Sequence, residues 1–470
     1  MLILKGHWWL PDSPEIEVPG EFRFSQDEGG KLELQGDLHV LQDGQFHPPI
    51  IKNEPLILGI SSKGREVSLL NCDQTKGKVS FGEYIGSPET DYRVNYALVG
   101  VHVPSPEAAK FKQLKVRFTY LEDWLDQNLF VIENLDPNKI LVHSEKPEPI
   151  KVRVGDYIIS FGYDSPLLNP RTAELVISHQ AWVTICSETD EKPLELFLEV
   201  MRRIQDFITL GVGEPVYPLE VEGYSRVKKY VSQNGQENFL PIQIKYLLPW
   251  SRDPKTSLQP SQMIFTIKAI QDQVETILNR WFDRAEDLKP VLDITFSLVY
   301  QKSIYSEFRF LGMVQAIETY HRRRYGGKYM PDDVFLTNLY PSLVRAIPAE
   351  LDAAFKQSLK FGKLRYANEF SLRKRLRDLT NHLAEFLSFQ FLKNIAERNE
   401  FVEMVCDTRN YLTHYDPALK PKAMTSGRDL YILAQKLRFL LEASLLEEVG
   451  FEASQINTLM LKNWNYANFR

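Results

Sequence analysis

Arg409 and His414 are the side chains of this sequence best suited to act together chemically. They lie in the stretch Val405-Cys406-Asp407-Thr408-Arg409-Asn410-Tyr411-Leu412-Thr413-His414-Tyr415-Asp416-Pro417. A guanidinium is permanently charged and matches the oxygens of a phosphate. An imidazole gains and loses a proton near neutral pH. These are the parts needed to cleave RNA without a metal. The 2′-hydroxyl attacks the adjacent phosphorus while a base or acid moves protons and a fixed cation meets the charge growing on the phosphoryl oxygens. The products are a cyclic phosphate and a 5′-hydroxyl.

The element that must hold this pair is a helix. Phe401, Val402, Met404, Val405 and Leu412 recur at helical spacing. Pro417 disfavours helical geometry at Asp416, which puts the end near His414 or Tyr415. A step of five residues turns about 140° around the axis, so Arg409 and His414 do not stack. The C-terminal end of a helix favours an imidazolium by a few tenths to about 2 kcal/mol. On spacing alone, a surface salt bridge or a capping histidine is the better explanation of the pattern.

The setting separates these readings. The stretch resembles the active-site motif of HEPN ribonucleases, the Apea-like group in particular. The resemblance runs back through Phe308-Arg309-Phe310-Leu311-Gly312-Met313-Val314-Gln315-Ala316-Ile317-Glu318-Thr319-Tyr320-His321-Arg322 and Ser371-Leu372-Arg373-Lys374-Arg375-Leu376, and forward to Leu433-Ala434-Gln435-Lys436-Leu437-Arg438-Phe439-Leu440-Leu441. The start, Leu4-Lys5-Gly6-His7-Trp8-Trp9-Leu10-Pro11-Asp12, resembles the opening of the ApeA N-terminal domain. The resemblance implies an antiphage abortive-infection endoribonuclease of bacteria. In it Arg409 and His414 are catalytic, Asn410 is the polar motif residue that orients the site, and no cofactor or metal takes part. It also implies a homodimer, here expected through 300–330 and 400–416, and an N-terminal part that senses a phage-derived trigger or restrains activity.

Composition is that of an ordinary globular protein, and 470 residues suffice for two or three domains. Residues 290–470 hold about 25 basic and about 20 acidic side chains, so the overall charge of −6 leaves the remainder near −11. A polyanion such as RNA therefore suits the C-terminal part. Cys72, Cys186 and Cys406 are far apart and lack metal or disulfide spacing, as in a reducing compartment. With no long apolar run and no signal-peptide pattern, a cytoplasmic protein without membrane contact is expected.

The fold expected is α+β and multidomain. Alternation in Glu21–Phe24, Lys31–Leu34, Lys78–Phe81, Arg93–Val99, Lys115–Tyr120, Lys151–Val154, Tyr157–Phe161 and Trp182–Cys186 predicts a mainly-β sandwich or barrel-like domain over 1–250. Helical spacing over 194–210 interrupts it. A polar, proline-broken linker and connecting helix occupy 251–299, a HEPN helical bundle 300–450, and a tail 451–470. Helices are expected at 263–286, 290–324, 332–361, 365–397, 400–415 and 427–449.

Other polar residues carry weaker signals. Glu318, His321 and Arg322 share a helix face, either as an internal ion pair with a satisfied histidine or beside the Arg409–His414 pair. Arg322, Arg323 and Arg324, with Lys328 and Arg373-Lys374-Arg375-Arg377, form either a solvated face or an RNA-backbone track. Trp8 and Trp9 read as core, and Asp332-Asp333 as a helix cap. Two rival functions remain: a catalytically silent HEPN scaffold that binds nucleic acid or protein, and a ligand-recognition protein working through its β domain.

Overall fold

The computed structural model describes residues 1–25, 28–39, 52–78, 89–136, 139–165, 167–171, 174–232, 234, 237–246, 257–301, 303–463 and 466. The expected strand at 78–81, the end of the expected β domain at 247–250 and residues 251–256 of the expected linker fall wholly or partly outside them. The chain divides into two compact units, Met1–Glu275 and Thr276–Arg470. The first is mainly β, the second helical.

Six antiparallel strands of the first unit close into a barrel: β1 (Leu2–Leu10), β2 (Ser13–Ser25), β3 (Gly29–Leu34), β4 (Asn53–Ser61), β5 (Glu66–Lys78) and β6 (Glu89–Val99). The order is β6-β3-β2-β1-β4-β5, and β5 returns to pair with β6, so the barrel has no free edge. The alternation in the sequence sets the inward face. Leu4 and Trp8, Phe22 and Phe24, Leu32 and Leu34, Val67 and Leu69, and Tyr92 and Val94 fill one core. Trp8 sits directly across from Gly59. A Cβ there would lie 2.2 Å from the Trp8 ring, so only glycine leaves room for the indole.

A second, open sheet grows out of the barrel wall. Its strands run in the order Ile150–Val154, Tyr157–Tyr163, Ala181–Ser187, Gln113–Phe118, Pro218–Tyr224 and Ile242–Tyr246, and the last pairs with β6. Helix α1 (Leu194–Val212) buries Phe197, Met201, Ile204 and Ile208. The Trp124 ring meets Phe161, Phe207 and Phe265 edge-on at 5.7–6.3 Å. Residues expected in the linker belong here: Ile264 and Phe265 donate backbone bonds to Gly211, and Ile267 to Trp124.

The helical unit is built from α2 (Val274–Tyr300), α3 (Ser306–Tyr325), α4 (Leu372–Leu383), α5 (Ile395–His414), α6 (Gly427–Glu448) and α7 (Ala453–Lys462). Helix α2 runs on through Pro290, without the break at 287–289 that the sequence predicts. The proline removes one hydrogen bond, but the buried stripe Trp281, Ala285, Leu288, Leu292, Phe296 continues on both sides and packing decides. The expected helix over 332–361 is instead a set of short pieces with π-helical turns at Phe335–Leu339 and Ser358–Leu364. Phe335 is its one fully buried apolar side chain among the described residues, so little tertiary packing enforces regular geometry. The expected 365–397 helix is split, because Asn394 caps a new helix by accepting from Glu397 N at 2.9 Å. The expected tail contains α7, and Tyr466 is buried against Phe439 with ring centroids 4.0 Å apart. Helices α3 and α6 are parallel: Gly427 lies beside Ser306 at one end, and the Tyr320 hydroxyl donates to Glu448 at 3.0 Å at the other. Among the described residues no helix is long and apolar enough to cross a membrane.

The barrel supplies a direct test. Trp8→Ala opens a cavity over Gly59 and should destabilise the β unit by about 3–5 kcal/mol, read by urea unfolding. A loss below about 1 kcal/mol would contradict a barrel packed around this indole.

Candidate active site at the end of α5

Helix α5 buries Phe401, Val405, Thr408 and Leu412, a stripe at i, i+4, i+7 and i+11, with Val402 and Cys406 beside it. That stripe fixes the direction of every other residue. Arg409 falls at the edge of the buried face and is half-buried; His414 falls on the outer face and is exposed. The helix ends at His414, as the sequence predicts. Tyr415 takes the left-handed conformation, φ 50°, and its N–H returns to Tyr411 O at 2.6 Å. The loop beyond is tied back where Met424 N donates to the buried Thr408 hydroxyl at 3.0 Å.

The Arg409 guanidinium donates through Nη1 to Asn410 Oδ1 at 3.2 Å. This orients the amide and leaves its Nδ2 as a donor beside the cation, a combination suited to phosphoryl oxygens. The Thr413 hydroxyl donates to Arg409 O at 2.7 Å and closes the last turn. His414 occupies that turn, with its side chain exposed at the helix end. Sequence reading passed over two neighbours. Tyr411 and Tyr415 pack edge to face with centroids 5.6 Å apart beside His414, and Tyr415 is largely exposed. Such rings can stack an unpaired base. Their signal was an aromatic pair at i, i+4 flanking the motif.

Glu318 and His321 belong to a different cluster. His321 is buried and accepts at Nδ1 from Arg375 Nη1, 3.4 Å away. Because Arg can only donate, the ring proton lies on Nε2. Nε2 faces Asp378 Oδ2 at 3.5 Å, an electrostatic contact without hydrogen-bond alignment. Arg375 is itself wholly buried and also donates to Phe370 O at 3.2 Å, Gly326 O at 3.2 Å and Gly327 O at 3.4 Å. Glu318 acts on Arg375 through space. The structure thus joins Arg409 to Asn410, sets His414 on another side of the same helix end, and assigns His321 to the Arg375 anchor.

The basic runs are largely engaged. Arg322 pairs with Glu369 at 2.8 Å rather than with Glu318, Arg323 donates to Asp287 O at 2.7 Å, and Arg324 pairs with Glu448 at 2.7 Å. Arg373 holds Glu403 in a two-pronged contact, joined by Arg377 at 3.1 Å. These bonds depress the Glu403 carboxyl pKa, the Arg373 hydrogen bond first. Asp332 caps no helix; its carboxylate meets Lys328 and the Asn368 amide. Among the described residues no cluster of metal-ligating side chains occurs.

Burial, then the charge of Arg375, lowers the His321 pKa below 6.5. The unfolded chain therefore takes up this proton first. The contribution to stability is full above about pH 6.5 and is lost as pH falls toward the depressed folded value. Thermal unfolding of wild type against His321→Gln should show a shallower acid slope in the variant. Identical slopes below pH 6.5 would contradict a buried neutral imidazole.

Residues 4–281 match the family model described as ApeA N-terminal domain 1, and residues 311–455 match that of the Apea-like HEPN domain. No curated protein and no solved structure matches the chain.

Proposed function

The chain belongs to the ApeA family of HEPN proteins, and from that premise we propose that it is a metal-independent endoribonuclease of antiphage defence. The pairing of these two domains points to an antiphage-defence HEPN protein, and HEPN domains are typically nucleases. The observation that carries the finer reading is the end of α5, where a half-buried Arg409 holds the Asn410 amide one turn before an exposed His414 at the helix terminus.

In this reading Arg409 and the Asn410 Nδ2 bind the scissile phosphate and meet the charge that grows on its oxygens. His414 moves the proton of the attacking 2′-hydroxyl or of the 5′-oxygen leaving group. Tyr415 stacks a flanking base. A single helix end presents Arg409 and His414 about 140° apart, which makes a poor cradle for one phosphodiester. Two such ends related by a two-fold axis make a closed one, and two-fold interfaces are the commonest among soluble oligomers. The active species is therefore a homodimer through α3 and α5. The β unit receives the phage-derived trigger. Support for a partner there comes from the ribbon Phe130–Asp136 and Lys139–Ser144, whose Ile132 and Ile140 are each 65 % exposed.

The test is RNA cleavage by purified wild type, Arg409→Ala and His414→Ala. Each substitution should lower the rate by on the order of 10²–10⁴, with melting unchanged because neither side chain is core. Wild-type products should end in a cyclic phosphate and a 5′-hydroxyl, and cleavage should persist in EDTA. Variants as active as the parent, or activity restored only by magnesium, would contradict the assignment.

A further inference from the structure

A cleft of about 440 Å³ in the helical unit plays no part in the site described above. It is lined by Arg280, Asp283, Arg284, Arg324, Glu447 and Glu448. At its base the Glu448 carboxylate, 5 % exposed, accepts from the buried Tyr320 hydroxyl and pairs with Arg324 Nε at 2.7 Å and Arg284 Nε at 3.5 Å. Both arginines meet Glu448 through Nε, so that contact leaves their terminal Nη groups to other acceptors. Arg284 Nη1 has a loose contact with Asp287 at 4.0 Å.

A third guanidinium is added that this ion pairing does not need. Arg280 has no hydrogen-bond or ion-pair partner among the described residues. It is nevertheless seated: Gly450, just past α6, has φ +97°, and a Cβ there would lie 2.0 Å from Arg280 Nη1. The backbone makes the left-handed turn and clears the space with one residue. Glu447 is occupied by His382, whose Nε2 lies 2.9 Å from both its oxygens. That leaves three guanidiniums facing Glu448 and Asp283. A buried carboxylate needs compensation, but two arginines and a hydroxyl already provide it.

We propose that this cleft binds a phosphate-bearing small molecule of nucleotide size. The Nη groups of Arg280, Arg284 and Arg324 would hold phosphoryl oxygens as charge-assisted pairs, and Asp283 would accept from a sugar hydroxyl or a ring amine. The volume lies in the range of small-molecule sites. An RNA strand fits less well, because the neighbouring basic residues that would extend a track are engaged: Arg322 by Glu369, Arg323 by Asp287 O, and Arg373 and Arg377 by Glu403. The cleft is also remote from Arg409 and His414. Those lie at the Gly427 end of α6, through the Thr408–Met424 bond, whereas Glu448 is about 32 Å further along that helix.

The inference does not rest on the ribonuclease reading, and its test measures binding alone. Calorimetric titration of the full chain with ATP, AMP and inorganic phosphate should show saturable binding in the order ATP, AMP, phosphate. Arg280→Gln should weaken ATP binding by roughly tenfold or more at unchanged melting temperature, since it breaks no protein bond among the described residues. Arg280→Gln with Arg284→Gln should abolish it, and His414→Ala should leave it intact. Absence of nucleotide binding at millimolar concentration would overturn the proposal, as would binding undiminished in the double variant. So would a fluorescein-labelled single-stranded RNA that binds through these arginines while nucleotides do not.

Discussion

The buried stripe of α5 is the constraint on which the candidate site depends. Phe401, Val405, Thr408 and Leu412 face the core, and the 3.6-residue period then leaves no freedom in where Arg409, Asn410 and His414 point. The stripe puts the guanidinium at the margin of the core, partly shielded from water, where its charge acts more strongly on a phosphate. It puts the imidazole in solvent at the last turn of the helix. Asn394 fixes the start of the helix, and Tyr415 with Pro417 fixes its end. A shift of the stripe by one residue would turn each of these groups by about 100°.

Around that helix the unit is held by buried polar contacts more specific than a hydrophobic bundle requires. Arg375 donates to three backbone carbonyls and to His321, joining α3, α4 and the loop between them. Removing one partner would leave a buried charge or carbonyl unsatisfied, which costs more than the bond itself contributes. Glu403 on α5 is gripped by Arg373 and Arg377 of α4, tying α5 to its neighbour on the exposed side. Partial exposure limits what that contact adds to stability, but it sets the rotation of one helix against the other.

Much of this was legible in the sequence, and for identifiable reasons. Period-2 alternation at Glu21–Phe24 and Lys31–Leu34 marked strands whose inward residues are the barrel core. The apolar spacing from Phe401 to Leu412, followed by Pro417, marked both the helix and its last residue. Closure of the barrel was not legible, because the β5–β6 pairing depends on register between strands and not on any local pattern. The break expected between 286 and 290 is absent, since the local penalty of Pro290 is outweighed by packing that only the tertiary structure reveals. The segment 332–364 has helical composition but little buried surface, and it folds into short turns. The sequence left the arginine runs open between a solvated face and an RNA-backbone track, because a count of charges says nothing of partners such as Glu369, Glu403 and Glu448, distant in sequence.

The site on α5 and the fold that presents it together make one strong demand: Arg409 and His414 lie on different sides of the helix, and one chain alone frames a phosphodiester poorly. The most direct measurement is subunit complementation. Arg409→Ala and His414→Ala chains, each inactive alone, are mixed under conditions that allow exchange, and RNA cleavage is followed against each parent. The account predicts that activity returns in the mixture, because half of the mixed dimers' composite sites regain one intact guanidinium and one intact imidazole. A mixture as inactive as its parents, in a population shown by mass to contain mixed dimers, would contradict it.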